Sequence, residues 1–228
     1  MGMISDNLQQ VRGQIAQACA DCGRHANDVT LLAVSKTFPA SAVREAFATG
    51  QRHFGENYIQ EAVDKIAQLT DLPGAVWHMI GPIQSNKTRS VAENFAWVHS
   101  VDRLKTALRL SEQRPTPLAP LQVCLQVNLD GGANKSGTTP GELLALASTI
   151  SALPQLTLRG MMVIPEPAAN FAQACEVFGQ AQALFKQLAA QCPSVDTLSM
   201  GMSADLLAAV QQGSTMLRVG TAIFGQRS

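Results

Sequence analysis

Lys36 ends an apolar run that begins at Leu31, so its amine is expected to be partly stripped of water. Desolvation disfavours the ammonium form, lowers the pKa and frees the nitrogen lone pair, which suits imine formation with a carbonyl compound. Taken alone, the position equally suits a lysine whose stem packs on apolar surface while its head reaches water. Context discriminates. The stretch Ser199-Met200-Gly201-Met202-Ser203 reads as a phosphate cradle, because glycine admits close backbone approach and a helix starting near Ser203 would offer N–H groups. Gly220-Thr221 supplies a second wall. Neither segment fits the G-x-G-x-x-G or G-x-x-x-x-G-K-[ST] signature, so nucleotide binding gains no support.

Two histidines, His78 and His99, stand at the expected ends of apolar runs, where either could act as a base near neutral pH. A hydrogen-bonded structural role is the expectation, because neither lies at metal-ligand spacing from another ligand, and no metal site is expected. The cysteines number five, an odd count scattered along the chain, so they read as reduced thiols and not as a disulfide framework. Cys19 and Cys22 form a C-x-x-C inside the helical pattern Leu8, Val11, Ile15, Ala18, Cys22, with no second pair to complete a zinc site.

These residues need elements to position them. Apolar runs at 31–34, 51–54, 76–80, 97–101, 121–127, 156–164, 197–200 and 215–224 read as eight strands. Most are apolar on consecutive residues, as expected when both faces are covered. Amphipathic stretches at 41–49, 59–69, 91–95, 104–111, 141–153, 171–190 and 204–212 lie between them. An extra N-terminal helix, capped by Ser5 or Asp6 and stopped by Gly23, precedes the first strand. The pattern predicts an α/β protein, a single (β/α)8 TIM barrel, with a doubly wound open sheet as the alternative. Barrel sites sit at the C-terminal ends of strands, often with phosphate after strands seven and eight, which is where Lys36, the cradle and Gly220-Thr221 fall.

With 228 residues, 46% hydrophobic and 15% charged, the chain can bury one large core, and residues 1–228 are expected to form one domain. A linker could only be 113–120, which is short enough to be a loop. Formal net charge is zero, which favours neither nucleic acid nor acidic membrane surfaces. Without a basic stretch leading into an apolar core, or about 18 consecutive apolar residues, the expectation is a cytoplasmic protein acting on a small molecule.

Ala33-Val34-Ser35-Lys36-Thr37, Phe54-Gly55-Glu56-Asn57-Tyr58, Trp77-His78-Met79-Ile80-Gly81, Leu198 to Ser203 and Arg218-Val219-Gly220-Thr221 occur in that order. Together they resemble the pyridoxal phosphate homeostasis protein family, which is similar in fold to the N-terminal barrel of alanine racemase. The resemblance implies that Lys36 carries pyridoxal 5′-phosphate (PLP) as an internal aldimine. It implies that Ser199 or Met200, Gly201, Ser203, Gly220 and Thr221 hold the phosphate, that Asn57 lies beside the ring, and that Arg218 faces the pyridine nitrogen. An arginine stays protonated and is a poor proton donor there, so the ring would be a weaker electron sink than one paired with a carboxylate. The chain departs from the family at 128–137, where Asp130-Gly131-Gly132-Ala133 follows Asn128 in place of a glutamate a few residues on. Lys135 in that loop is an alternative amine, though a solvated loop lysine is the expected reading.

Three functions follow from these residues. A PLP carrier would sequester the aldehyde and pass it to apo PLP-dependent enzymes, acting as a monomer. A PLP-dependent racemase or lyase needs a base on each face of the α-carbon, and the only tyrosine, Tyr58, falls early in the barrel. An aldolase-like enzyme would use Lys36 on another phosphorylated metabolite. The motifs favour the carrier, with PLP bound but turnover machinery incomplete.

Overall fold

Eight short, largely buried runs become eight parallel strands in the computed structural model, which describes residues 2–132 and 135–226. The strands are β1 (Thr30–Val34), β2 (His53–Glu56), β3 (Val76–Met79), β4 (Trp97–Val101), β5 (Leu121–Val127), β6 (Leu156–Val163), β7 (Thr197–Ser199) and β8 (Met216–Val219). They close into a barrel in chain order, with β1 paired to β8. The expected (β/α)8 barrel with an N-terminal helix is therefore the fold. All five residues of β4 are buried, as two covered faces require.

The outer layer comprises α1 (Met3–Asp21), α2 (Ala40–Ala48), α3 (Ile59–Ala67), α4 (Thr88–Asn94), α5 (Leu104–Gln113), α6 (Leu143–Ser151), α7 (Phe171–Gln191), α8 (Leu206–Gln211) and α9 (Thr221–Phe224). Helix α1 buries Ile4, Leu8, Val11, Ile15 and Ala18, a stripe at three- and four-residue spacing. That stripe packs against α2, α8 and α9, so the additional helix covers the β1–β8 seam. No helix among the described residues is long and apolar enough to cross a membrane. All five cysteines are free.

Several boundaries differ from the sequence reading. The second strand is His53–Glu56, not 51–54, because Gln51 turns its side-chain amide to the carbonyls of Leu31 and His53 and belongs to the exit from α2. The eighth strand stops at Val219, and the apolar residues expected to continue it form α9, burying Ile223 and Phe224. A short apolar run cannot by itself separate a strand from a buried helical turn. The N-cap of α1 is Gly2, not Ser5 or Asp6, and Ser5 is buried within the helix. Helix α8 begins at Leu206, not near Ser203.

Candidate functional site

A cavity of about 300 Å³ opens at the C-terminal end of the barrel and is lined by Lys36, Asn57, Ser203, Arg218, Gly220 and Thr221, among others. Six of the nine expected site residues thus converge from β1, β2, β7 and β8. Ser199, Met200 and Gly201 do not line it. Ser199 and Met200 are fully buried, and the Ser199 hydroxyl is engaged inside the barrel.

Lys36 leaves β1 half-buried, and its neighbours are fixed from below. Buried Lys65 of α3 donates from Nζ to the Ser35 carbonyl at 2.8 Å and to Glu56 Oε1 at 2.7 Å. Ser35 donates to the same Glu56 oxygen at 2.6 Å. Burial raises the Glu56 pKa, opposed by the Lys65 charge and the hydrogen bonds from Lys65 and Ser35. Lys65 also meets Glu61, whose Oε1 accepts the Thr37 N–H at 2.6 Å. Thr37 has φ of 68°, a left-handed conformation uncommon for a β-branched residue. Strain of this kind persists where surrounding contacts impose it. Sequence reasoning did not single out Lys65 or Glu61. The available signal was a lysine three residues after Ala62, on the helix face that turns to the barrel.

Asn57 is held by a close backbone approach. A Cβ on Gly81 would lie 2.2 Å from the Asn57 carbonyl oxygen, so the loop after β3 can pack there only as glycine. Ser100 of β4 pins that loop by donating to the Gly81 carbonyl at 2.6 Å. Asn57 Oδ1 is buried and, among the described residues, has no hydrogen-bond partner. An acceptor left in this state costs stability until something supplies a donor.

The opposite wall is a turn, not the helix start expected from sequence. Asp205 Oδ1 accepts the Met202 N–H, and the Asp205 N–H returns to the Met202 carbonyl. Among the described residues, the N–H groups of Ser203 and Ala204 meet no acceptor, and both residues line the cavity. Gly201 permits the turn with φ of 94°. Gly220 and Thr221 open α9, which is braced by Phe224 stacked on Phe38 at 5.2 Å.

Arg218 is 5% exposed and reaches the cavity from the barrel interior. Its Nη1 donates to Ser199 Oγ at 2.8 Å and its Nη2 to the Val163 carbonyl at 2.9 Å. Burial lowers its pKa to about 10, so the guanidinium stays charged at neutral pH. His78 and His99 lie within β3 and β4, not at strand ends, and both are fully buried and hydrogen-bonded as expected. Burial holds both neutral, with His99 lowered to about 3. Among the described residues no cluster of His, Cys, Asp or Glu could hold a metal ion.

Lys135 is no second site amine. It lies off the cavity, paired with Asp130 and with Glu166 at 2.7 Å. Those hydrogen bonds raise its pKa, which keeps it an ammonium. Of the departing loop, Ala133 and Asn134 lie outside the described residues.

The cavity joins a strand-end amine, a guanidinium, hydroxyls with outward N–H groups on one wall, and an acceptor lacking a donor on the other. That donor set suits a small anion bearing a carbonyl and at least one donor of its own.

The family model described as "Alanine racemase, N-terminal domain" matches residues 7–228. A Vibrio cholerae protein named pyridoxal phosphate homeostasis protein is 54% identical over 230 residues, covering 100% of this chain and 98% of the relative. A Pseudomonas aeruginosa protein of the same name is 56% identical over 227 residues, covering 100% and 97%. The structure of PipY from Synechococcus elongatus PCC7942 with PLP bound is 42% identical, covers 97% of this chain and 100% of PipY, and superposes with a TM-score of 0.85.

Proposed function

The chain belongs to the alanine racemase N-terminal domain family and, within it, to the pyridoxal phosphate homeostasis proteins, and from that membership we propose that it binds PLP covalently through Lys36 and serves in intracellular PLP homeostasis. The observation that carries this reading is the placement of Lys36 across one cavity from the Ser203 and Thr221 hydroxyls. The amine condenses with the aldehyde as a Schiff base, releasing water. Ser203, Gly220, Thr221 and the N–H groups after Met202 bind the phosphate. Asn57 Oδ1 accepts a hydrogen bond from the ligand, and Arg218 stands at the ring nitrogen. Gly201 shapes the phosphate turn, with Met200 packed beneath it. The role of Ser199 is to hold Arg218, not to touch phosphate.

Among the described residues, Lys36 and Arg218 are the only lysine, arginine, histidine or acidic side chains lining the cavity. Proton abstraction on both faces of a substrate α-carbon needs two placed bases. This supports a carrier over the racemase or lyase reading. In the same reading residues 1–228 act as one binding unit, a cytoplasmic monomer that hands PLP to apo PLP-dependent enzymes.

Borohydride reduction of the PLP-treated protein followed by peptide mass spectrometry tests the assignment. Label on the peptide containing Lys36 is the expected result. Label confined to Lys135 or another lysine overturns it.

A further inference from the structure

Inside the barrel four polar side chains stand in single file between its two ends. His53 Nδ1 lies 2.9 Å from His78 Nε2, and His78 Nδ1 lies 2.9 Å from His99 Nε2. His99 Nδ1 lies 3.0 Å from Ser199 Oγ, which accepts from Arg218 Nη1 at 2.8 Å. The Arg218 end reaches the cavity described above, while His53 lines a separate cavity at the other end together with Arg12 and Arg52.

The donors settle the direction of the file. Arginine only donates, so Ser199 Oγ accepts from Arg218 and its single hydrogen is left for His99 Nδ1. Neutral His99 then carries its proton on Nε2 and donates to His78 Nδ1, and His78 in turn donates from Nε2 to His53 Nδ1. Every link is satisfied with all three rings neutral. In the reverse order His99 donates to Ser199, and among the described residues the serine hydrogen then meets no acceptor. A proton arriving on His53 Nδ1 would set two donors face to face at His78, and it cannot be passed along the file, which ends on Ser199 and the donor-only Arg218.

We propose that His53, His78, His99 and Ser199 form an oriented hydrogen-bond file that couples the Arg218 end of the barrel, and the ligand bound there, to protonation of His53 at the opposite end. The coupling to ligand rests on the proposed PLP site; the orientation does not. The charged and titratable groups facing the buried part are Arg218 from β8, Asp205 before α8, Cys124 from β5 and Arg159 from β6, which lies over Trp97 and pairs with Asp196, with Arg12 of α1 and Arg52 at the His53 end. Trp97 of β4 stacks on His78 at 5.3 Å and fixes its ring plane. His78 and His99 are positioning residues, since neither lines the ligand cavity.

The chain has four histidines, so ¹⁵N-edited NMR of the imidazoles resolves each one. In the ligand-free protein His78 and His99 are expected as neutral Nε2–H tautomers from pH 5 to 8, a pattern that generic structural histidines need not share. Adding PLP is expected to raise the His53 pKa by about 0.7 unit or more, the low end of ordinary site-to-site coupling, because the bound anion offsets the Arg218 charge. The shift is expected to fall to a small through-space remnant in His78→Phe, which keeps a ring on Trp97 but breaks the file. Nδ1–H tautomers at His78 or His99 overturn the orientation. A His53 pKa that does not rise with PLP, or rises equally in His78→Phe, overturns the coupling. Failure of PLP to bind at all refutes the carrier reading and with it the ligand coupling, while the tautomers decide the orientation of the file by themselves.

Discussion

Lys65 Nζ and Glu56 Oε1 lie 2.7 Å apart with both side chains closed off from solvent, and the same ammonium holds the carbonyl of the residue before Lys36. Removing one member of a buried pair strands the other, at a cost of about 3–5 kcal/mol, whereas replacing both with apolar groups is often near neutral. Lys65→Met is therefore expected to lower stability by that amount in urea melts, and Lys65→Met combined with Glu56→Leu to recover most of it. A single variant as stable as the parent would remove the pair from its proposed role beneath Lys36.

Ser203→Ala and Thr221→Val each delete one hydroxyl from the proposed phosphate wall. A hydrogen bond to a charged group contributes about 1.5–3 kcal/mol, so PLP should dissociate faster from each variant while the melting temperature of the ligand-free protein stays put. Dialysis followed by absorbance is the measurement. Equal release from variants and parent would move the phosphate elsewhere.

Gly201 combines a left-handed backbone with no room for a side chain, since a Cβ would stand 2.3 Å from Ala209 Cβ. Gly201→Ala should cost about 2–4 kcal/mol from the left-handed penalty and overpacking together. It should also displace Met202 to Ala204 and weaken PLP retention. Unchanged denaturant midpoint and unchanged retention would contradict both.

The buried histidines make stability depend on pH with a definite sign. Burial, then the Arg218 and His53 charges, lower His99 from the ordinary 6.5 to about 3, and His78 also lies well below 6.5. An unfolded chain binds these protons near 6.5 and the folded one resists them, so the contribution is complete above that pH and drains away as pH falls toward 3. Each such histidine should cost about 1.4 kcal/mol per unit below 6.5. Urea midpoints at pH 7, 6 and 5 should decline, less steeply in His99→Phe; a flat series in the parent would show that the rings titrate normally.

The barrel was legible because its strands announce themselves as short, largely apolar runs, and those at 97–101 and 121–127 match β4 and β5 end to end even though His99, Ser100, Gln122 and Gln126 interrupt them. Where burial was polar the reading drifted. Glu56 belongs to β2 only because Lys65 neutralises its surroundings, and a lysine in an amphipathic helix reads as a solvated one. Lys36, Asn57, Ser203, Gly220 and Thr221 line the cavity from strand ends, where barrels gather chemistry, whereas Arg218 lies within β8 and was singled out only through the family resemblance. Ser199 was drawn in with its neighbours, although residue alternation along β7 turns it inward. His53 passed unnoticed, yet it precedes His78 by 25 residues and His78 precedes His99 by 21, about one strand–helix unit each time.

The barrel closes where β1 meets β8, with Leu32 beside Arg218 and Ala33 beside Val219, while β7 and β8 share only the Ser199–Met216 pairing. Lys36 hangs from the first strand of that seam and Arg218, Gly220 and Thr221 from the last. No partly assembled barrel can therefore present both the amine and the proposed phosphate wall. Contacts so distant in sequence are slow to form, since chain entropy must be surrendered before they reward it. A ligand that recognises only the completed ring adds its binding free energy to that closing step. Under the proposed function, occupancy thus acts as a latch on the last event of folding, and a nascent chain stalled before Met216 cannot yet hold the ligand.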